Sequence, residues 1–375
     1  VVIAINTRFL IADHLEGMGW YTYELCQELV RQHPEDQFLF FFDRPYAPEF
    51  IFGPNVTPIV LSPQSHRYGL WYFWLEWQVA RMLRKYRADV FFSPDNFLSL
   101  RSKTPTLMTI HDIAYVHYPE LITRMSRWHY RNFQARYLQR ADHIVAVSEF
   151  SRQDVLQHFP IDGQKITAIP NGFRSIFAPL TAAKKTAIQH QYSQGQDYFF
   201  YLGSLHPRKN LSRLIEAYDL FRKKTGAPVK LLIGGRMAWQ TDEIKATWEK
   251  TTYREDIHFL GFLPDEQLAA VMGAALVLTY VSLFEGFGLP VLEAMQAGVP
   301  VLSSTASSLP EVAGDAAVLV DPLNVEAIAE GMTALWQSPE LRQELIAKGK
   351  LQVAQFSWAK AAAQTYNLLK QLAKK

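Results

Sequence analysis

One cysteine, Cys26, stands in 375 residues, so the chain cannot close a disulfide on itself, which fits a reducing compartment and a cytoplasmic location. It falls in a helical pattern, Tyr21 to Val30, where a lone thiol serves as a small core residue. No apolar run approaches the roughly 20 residues that a membrane-spanning helix needs. The chain shows no cationic segment leading into an apolar one and opens directly on a strand; the missing initiator Met leaves an upstream segment open. Charge of either sign is not in excess: the formal net charge is +2, with none of the basic surplus of a nucleic-acid binder. Asp-x-Asp, His-x-x-x-His and acidic clusters are absent, so no metal is expected. What remains is a chain 49% hydrophobic and 20% charged, long enough for two ordinary globular domains.

Apolar strand-like segments alternate with amphipathic ones along both halves. In the first half the strands are Val1–Ile5, Phe38–Phe42, Asp89–Phe92, Thr106–Thr109, Ile144–Val147 and Ile166–Ile169. The second run is Tyr198–Leu202, Lys230–Ile233, Ile257–Leu260, Ala275–Tyr280, Val299–Ser303 and Ala317–Val320. Such alternation predicts α/β architecture with two doubly wound parallel sheets, each Rossmann-like. A Pro/Gly-rich connection from Ile169 to Pro179 separates them. The expected domains are residues 1–178 and 179–356, followed by a lone helix over 357–375.

The stretch with the most chemistry is Phe284-Glu285-Gly286-Phe287-Gly288-Leu289-Pro290-Val291-Leu292-Glu293. A buried strand leads into a glycine turn, Pro290 occupies a first-turn position and Gly298 lies beyond the helix end. A helix mouth of this kind suits phosphate. The acids Glu285 and Glu293 on either side suit hydroxyls flanking that phosphate, as a sugar and a ribose would supply; two solvated glutamates near a helix start are the bland alternative.

Three further turns carry polar residues. Gly203-Ser204-Leu205-His206-Pro207-Arg208-Lys209 follows a strand, and its adjacent cations suit a diphosphate. His111-Asp112 ends an apolar strand, where open α/β sheets place their ligand crevice. Gly17-Met18-Gly19 precedes a helix beginning near Trp20, but with Thr22 and a long gap after the strand it fails as a dinucleotide fingerprint, even with Asp43 closing the second strand. Two other segments, Tyr68 to Trp77 with the cations that follow and Arg124 to Arg140, interleave aromatics with cations, which suits a membrane surface, a lipid-linked acceptor, single-stranded nucleic acid or a core helix with a solvated face.

The Glu285-x7-Glu293 signature, His111-Asp112 and the Arg208-Lys209-Asn210 turn together resemble the retaining nucleotide-sugar glycosyltransferases of family 4, which have the GT-B fold. The likeness extends over nearly the whole chain. It implies two Rossmann-like domains across a cleft, acceptor on the first and donor on the second, with the last helix crossing back onto the first. By that resemblance Glu285, Gly286, Phe287, Gly288, Leu289 and Glu293 meet the donor sugar, phosphate and ribose, and Arg208 and Lys209 neutralise the leaving diphosphate. Gly17, Gly19, Gly203, Ser204 and Gly234 bring backbone close to it. Phe262 and Leu263 lie at the nucleobase, and His111 contacts the transferred sugar. Ser204 departs from relatives that carry arginine there. Asp13, His14, Asp112 and Tyr115 are the acceptor-side candidates.

The resemblance to bacterial mannosyltransferases of polysaccharide assembly implies GDP-mannose as donor, with UDP-glucose the alternative, and a glycan or lipid-linked glycan as acceptor. No cofactor is expected beyond the nucleotide sugar. Peripheral contact with the inner membrane face through the first domain is the further expectation. A GT-B-shaped sugar-nucleotide epimerase, an NAD-dependent oxidoreductase and a non-catalytic glycan-binding protein are the rival readings.

Overall fold

The computed structural model describes residues 1–12, 15–65, 69–236 and 242–374. Asp13 and His14 lie outside the described residues, as does Tyr68 at the start of the first aromatic stretch. The chain divides into two compact units, Val1–Gly172 with Ser357–Lys375, and Phe173–Phe356.

Among the described residues the first unit holds seven parallel strands: β1 (Val2–Asn6), β2 (Gln37–Phe42), β3 (Val56–Val60), β4 (Val90–Ser93), β5 (Thr106–Ile110), β6 (His143–Ala146) and β7 (Ile166–Ala168). Their order is β3-β2-β1-β4-β5-β6-β7. The central strands are apolar on both faces because helices cover both, which is why they read as unbroken runs rather than alternations. The sequence reading passes over β3, whose Pro58 argues against a strand. It is an edge strand, the place where a missing N–H is tolerated.

The chain leaves this unit after Gly172, earlier than the expected boundary at 178, and re-enters at Ser357. A Cβ on Gly172 would stand 2.2 Å from the Trp358 nitrogen, so only glycine lets these two segments pass. The helix Trp358–Leu372 that follows is amphipathic: Trp358, Ala361, Ala362, Thr365, Tyr366, Leu369 and Leu372 form its buried face. It packs on the helix Gly17–Gln32, with Tyr366 stacked on His33 and its hydroxyl donating to Asp36 at 2.7 Å.

Among its described residues the second unit holds six parallel strands: β8 (Tyr198–Leu202), β9 (Lys230–Gly234), β10 (Ile257–Gly261), β11 (Val277–Tyr280), β12 (Val301–Ser304) and β13 (Val318–Val320). The order is β10-β9-β8-β11-β12-β13. In each sheet the chain winds outward one way and then the other. The direction reverses between β1 and β4 in the first sheet and between β8 and β11 in the second. Loops leaving the carboxyl ends of those strand pairs frame the crevice in which doubly wound sheets hold ligands.

Candidate functional site

In the second unit the reversal between β8 and β11 brings the two predicted motifs together. The loop after β11 carries Glu285 and the loop after β8 carries Arg208 and Lys209. Glu285 is only 6% exposed. Its Oε1 accepts from the Lys209 Nζ at 2.6 Å and from the Tyr280 hydroxyl at 2.8 Å, and Arg208 stands 3.6 Å from Oε2. Burial alone would raise the carboxyl pKa. Lys209 and Arg208 outweigh burial and hold it at about 2, so the group is a carboxylate at any physiological pH.

The loop between them is tightly fixed. The Glu285 N–H donates to the Ser307 Oγ at 2.8 Å, and the Ser308 Oγ lies 2.9 and 2.8 Å from the carbonyls of Glu285 and Phe287. Arg208 donates to the Phe284 carbonyl at 2.6 Å, and Leu283 N–H to the Arg208 carbonyl at 2.9 Å. Gly288 adopts φ +110°, and a Cβ there would strike Leu309 at 2.6 Å. That turn delivers the chain into the helix Leu289–Gln296, with Pro290 in its first turn as the sequence predicts.

Glu293 is 3% exposed, one turn into that helix. Its Oε1 accepts from the Arg174 Nε at 2.7 Å, and Arg174 also reaches Asp265 at 3.0 Å. Burial pulls the Arg174 pKa down, and the two acids more than reverse that, so the guanidinium stays charged. Sequence reasoning missed Arg174: it lies inside the segment read only as a Pro/Gly connection. It missed Tyr280 as well, although an aromatic hydroxyl at the carboxyl end of an apolar strand was a usable signal.

The remaining donor-side candidates divide. Gly235, at φ +141°, would place a Cβ 1.8 Å from the Gly203 carbonyl oxygen, and a Cβ on Gly234 would touch the Phe200 ring at 3.0 Å. The close approach that requires these glycines is therefore made by the protein's own chain. Ser204 is exposed. Phe262 is exposed with the Arg236 guanidinium 4.3 Å from its ring centroid, whereas Leu263 is buried.

In the first unit, Gly17 and Gly19 do not form a loop before a helix, as the sequence reading has it. They are the first turn of the helix Gly17–Gln32. Helix starts accept glycine readily, and Gly19 is further needed because a Cβ would sit 2.9 Å from the Phe9 carbonyl oxygen. Asp43, the acid of the failed dinucleotide fingerprint, is buried and bound to Arg44 and Ser65. His111 follows β5. Its Nε2 lies 2.9 Å from the Pro94 carbonyl, which can only accept, so Nε2 carries the proton. Burial lowers the His111 pKa more than the Pro94 carbonyl, Asp112 and Asp95 raise it, which favours the neutral ring. Asp112 accepts from the Ala114 N–H at 3.1 Å, and Tyr115 stacks on Tyr130 at 4.1 Å.

Sequence reading also missed a cavity of about 320 Å³ at the carboxyl edge of this sheet, lined by Arg8, Phe9, Trp71, Phe97, His129 and Tyr130 among others. Arg8, after β1, is buried on Asp95, after β4, at 2.8 Å. His129 is 6% exposed, and neither ring nitrogen has a hydrogen-bond partner among the described residues. Burial and the Arg8 charge push its pKa down to about 4, so it is a neutral, unsatisfied polar group at a cavity wall.

Two reversed parallel sheets, with an ionised acid, two cations and a glycine-turned helix mouth at one reversal point, define a GT-B glycosyltransferase, and comparison with known proteins agrees. The family model described as Glycosyltransferase Family 4 matches residues 15–174, and that described as Glycosyl transferases group 1 matches residues 184–352. O-antigen chain mannosyltransferase B of Escherichia coli is 33% identical over 299 residues, covering 77% of this chain and 76% of that protein. Serotype-specific mannosyltransferase WbdA of the same organism is 30% identical over 60% of this chain, a match spanning 28% of that longer protein. Among solved structures, sucrose-phosphate synthase from Thermosynechococcus elongatus superposes with a TM-score of 0.80 at 21% identity, covering 99% of this chain and 98% of that one. HepE of Anabaena in complex with UDP-glucose gives 0.76 at 17% identity, with 99% of each chain covered. The chain belongs to the family-4 glycosyltransferases and is an enzyme of that kind.

Proposed function

We propose that the chain transfers mannose from GDP-mannose to a glycan acceptor with retention of anomeric configuration. The observation that carries the reading is the buried, ionised Glu285 held by Lys209 and Tyr280 beside the helix mouth. A carboxylate oxygen accepts a sugar hydroxyl, while the adjacent cations and first-turn amides accommodate a diphosphate. Arg208 and Lys209 then balance the leaving-group charge without a metal, a preorganised electrostatic arrangement. In this scheme the departing phosphate oxygen takes the acceptor hydroxyl proton on the same face of the sugar as the new bond forms. Glu293, fixed by Arg174, is assigned to the ribose, and Phe262 with Leu263 to the base. Mannose is favoured because E. coli relatives are named mannosyltransferases.

The donor assignment is tested by a thermal-shift panel of GDP, UDP, GDP-mannose, UDP-glucose and NAD. Guanine nucleotides are expected to raise the melting point most, because a ligand that binds the native state stabilises it. A larger shift with UDP would reassign the donor, and one with NAD alone would reject the glycosyl-transfer reading of this site.

The acceptor is assigned to the cavity around Trp71, Phe97 and His129, whose aromatic walls and unsatisfied imidazole suit a sugar ring. Tyr72, Phe73, Trp77, Met125 and Trp128 are exposed in the same two segments, among exposed Arg81, Arg84, Arg124, Arg127 and Arg131. No helix among the described residues is long and apolar enough to cross a membrane. Aromatics and cations together suit an anionic membrane surface that presents a lipid-linked acceptor. The enzyme is expected to co-sediment with anionic vesicles, and Phe73→Ser with Trp128→Ser to weaken that binding several-fold while transfer to a soluble acceptor persists. Equal sedimentation of variant and parent would reject this surface.

A further inference from the structure

His117 closes the short helix Ala114–His117 that follows the His111–Asp112 pair. Asp154 and His158 lie one turn apart on the helix Glu149–His158, so both project from one face. The three side chains converge. The His117 Nε2 is 2.8 Å from the Asp154 Oδ1, and the His158 Nδ1 is 3.2 Å from the same oxygen. One donor atom from each residue lies within 4.8 Å of the other two. Asp154 is 6% exposed, while the histidine side chains are 31% and 33% exposed, so a carboxylate floor is flanked by two imidazoles with an open side to solvent.

We propose that His117, Asp154 and His158 form a binding site for a divalent transition-metal ion of the zinc class. Two imidazoles and one carboxylate are a borderline-soft donor set, which suits zinc, nickel or copper better than magnesium or calcium. A tetrahedral ion with ligands at about 2.1 Å sets its donors roughly 3.4 Å apart, so the two nitrogen–oxygen spacings of 2.8 and 3.2 Å need only a slight opening. The fourth position faces water. Coordination requires two ring nitrogens to give up their protons, each in favour of the other nitrogen of its ring: the His117 Nε2, which now donates to the Asp154 carboxylate at 2.8 Å, and the His158 Nδ1, now 2.9 Å from the Asp154 carbonyl. The ion would clip the segment after β5 to this helix, whose Ser151 Oγ already reaches the His111 carbonyl at 3.3 Å. Its role is to fix the loop bearing His111 and Asp112; neutralisation of the diphosphate is left to Arg208 and Lys209.

The test uses the full chain freed of metal by chelator and titrated with zinc chloride by calorimetry. One tight equivalent is expected, with a melting-point rise on the order of 5 °C at a hundredfold excess over Kd. His117→Ala with His158→Ala should weaken binding at least tenfold. A cobalt(II) titration of the unaltered protein gives a second readout that needs no folded variant, since tetrahedral cobalt(II) absorbs strongly in the visible. Absence of a stoichiometric site at micromolar zinc, with no cobalt spectrum, overturns the proposal. So does undiminished binding by the double variant, which would assign the ion to another cluster such as His33, Glu35 and Asp36.

Discussion

Glu285→Gln is expected to lower kcat by roughly a hundredfold to a thousandfold while changing donor affinity only several-fold, the pattern of a group that acts mainly on the transition state. The proposed role gives the reason. An amide keeps the shape but cannot present a full negative charge to a sugar whose positive charge grows as the phosphate departs. The substitution also leaves Lys209 and Arg208 beside a neutral group. Removing one member of a buried ion pair costs about 3 to 5 kcal/mol, so the second unit should be measurably less stable. The pH dependence supplies an independent check. The folded carboxyl titrates at about 2, and an unfolded glutamate at about 4.3. Its stabilisation is therefore complete above the unfolded value and disappears as the pH falls through the folded one. The stability gap between parent and variant should be full at neutral pH and shrink between about pH 4.5 and 2. Chemical denaturation across that range measures the gap. Steady-state kinetics with unaltered kcat would remove Glu285 from the reaction.

Arg174→Ala carries the second large effect. It strips the guanidinium from Glu293, which is 3% exposed, and leaves a buried carboxylate without its ion-pair partner. A loss of about 3 to 5 kcal/mol follows, or a fall in melting point on the order of 10 °C for a unit of this size. Donor affinity should drop at least tenfold, because Glu293, the assigned ribose contact, loses the partner that orients it. The control is Arg174→Met combined with Glu293→Gln. This pair removes both charges together and should recover much of the stability while leaving donor binding weak. If the double variant were as unstable as the sum of the single ones, the two residues would be energetically independent and the orienting role would fail.

Much of this protein was open to reading before any coordinates. Long unbroken apolar runs revealed parallel strands because both faces of each sheet are covered, a local consequence of the fold. The positions of Pro290 and Gly298 marked helix Leu289–Gln296 because first-turn and post-helix backbone geometry select those residues. The spacing of Glu285 and Glu293 pointed to the site for the same reason: loop and helix geometry over a few residues is written in sequence. Even the misplacement of Gly17 and Gly19 was a matter of a few residues at a helix start, where composition distinguishes a loop from a first turn poorly.

Sequence by itself thus determined the two α/β halves, the family and the segments that carry the candidate site. Tertiary structure alone decided which of those groups meet. Lys209 reaches Glu285 across 76 residues and Arg174 reaches Glu293 across 119, and no periodicity links such positions. It alone brought His129 to a cavity wall and set His117 against Asp154 and His158. The physical reason is common to all of these. Backbone preference acts over a few residues, whereas the partner of a buried charge is chosen by the order in which strands assemble into the sheet.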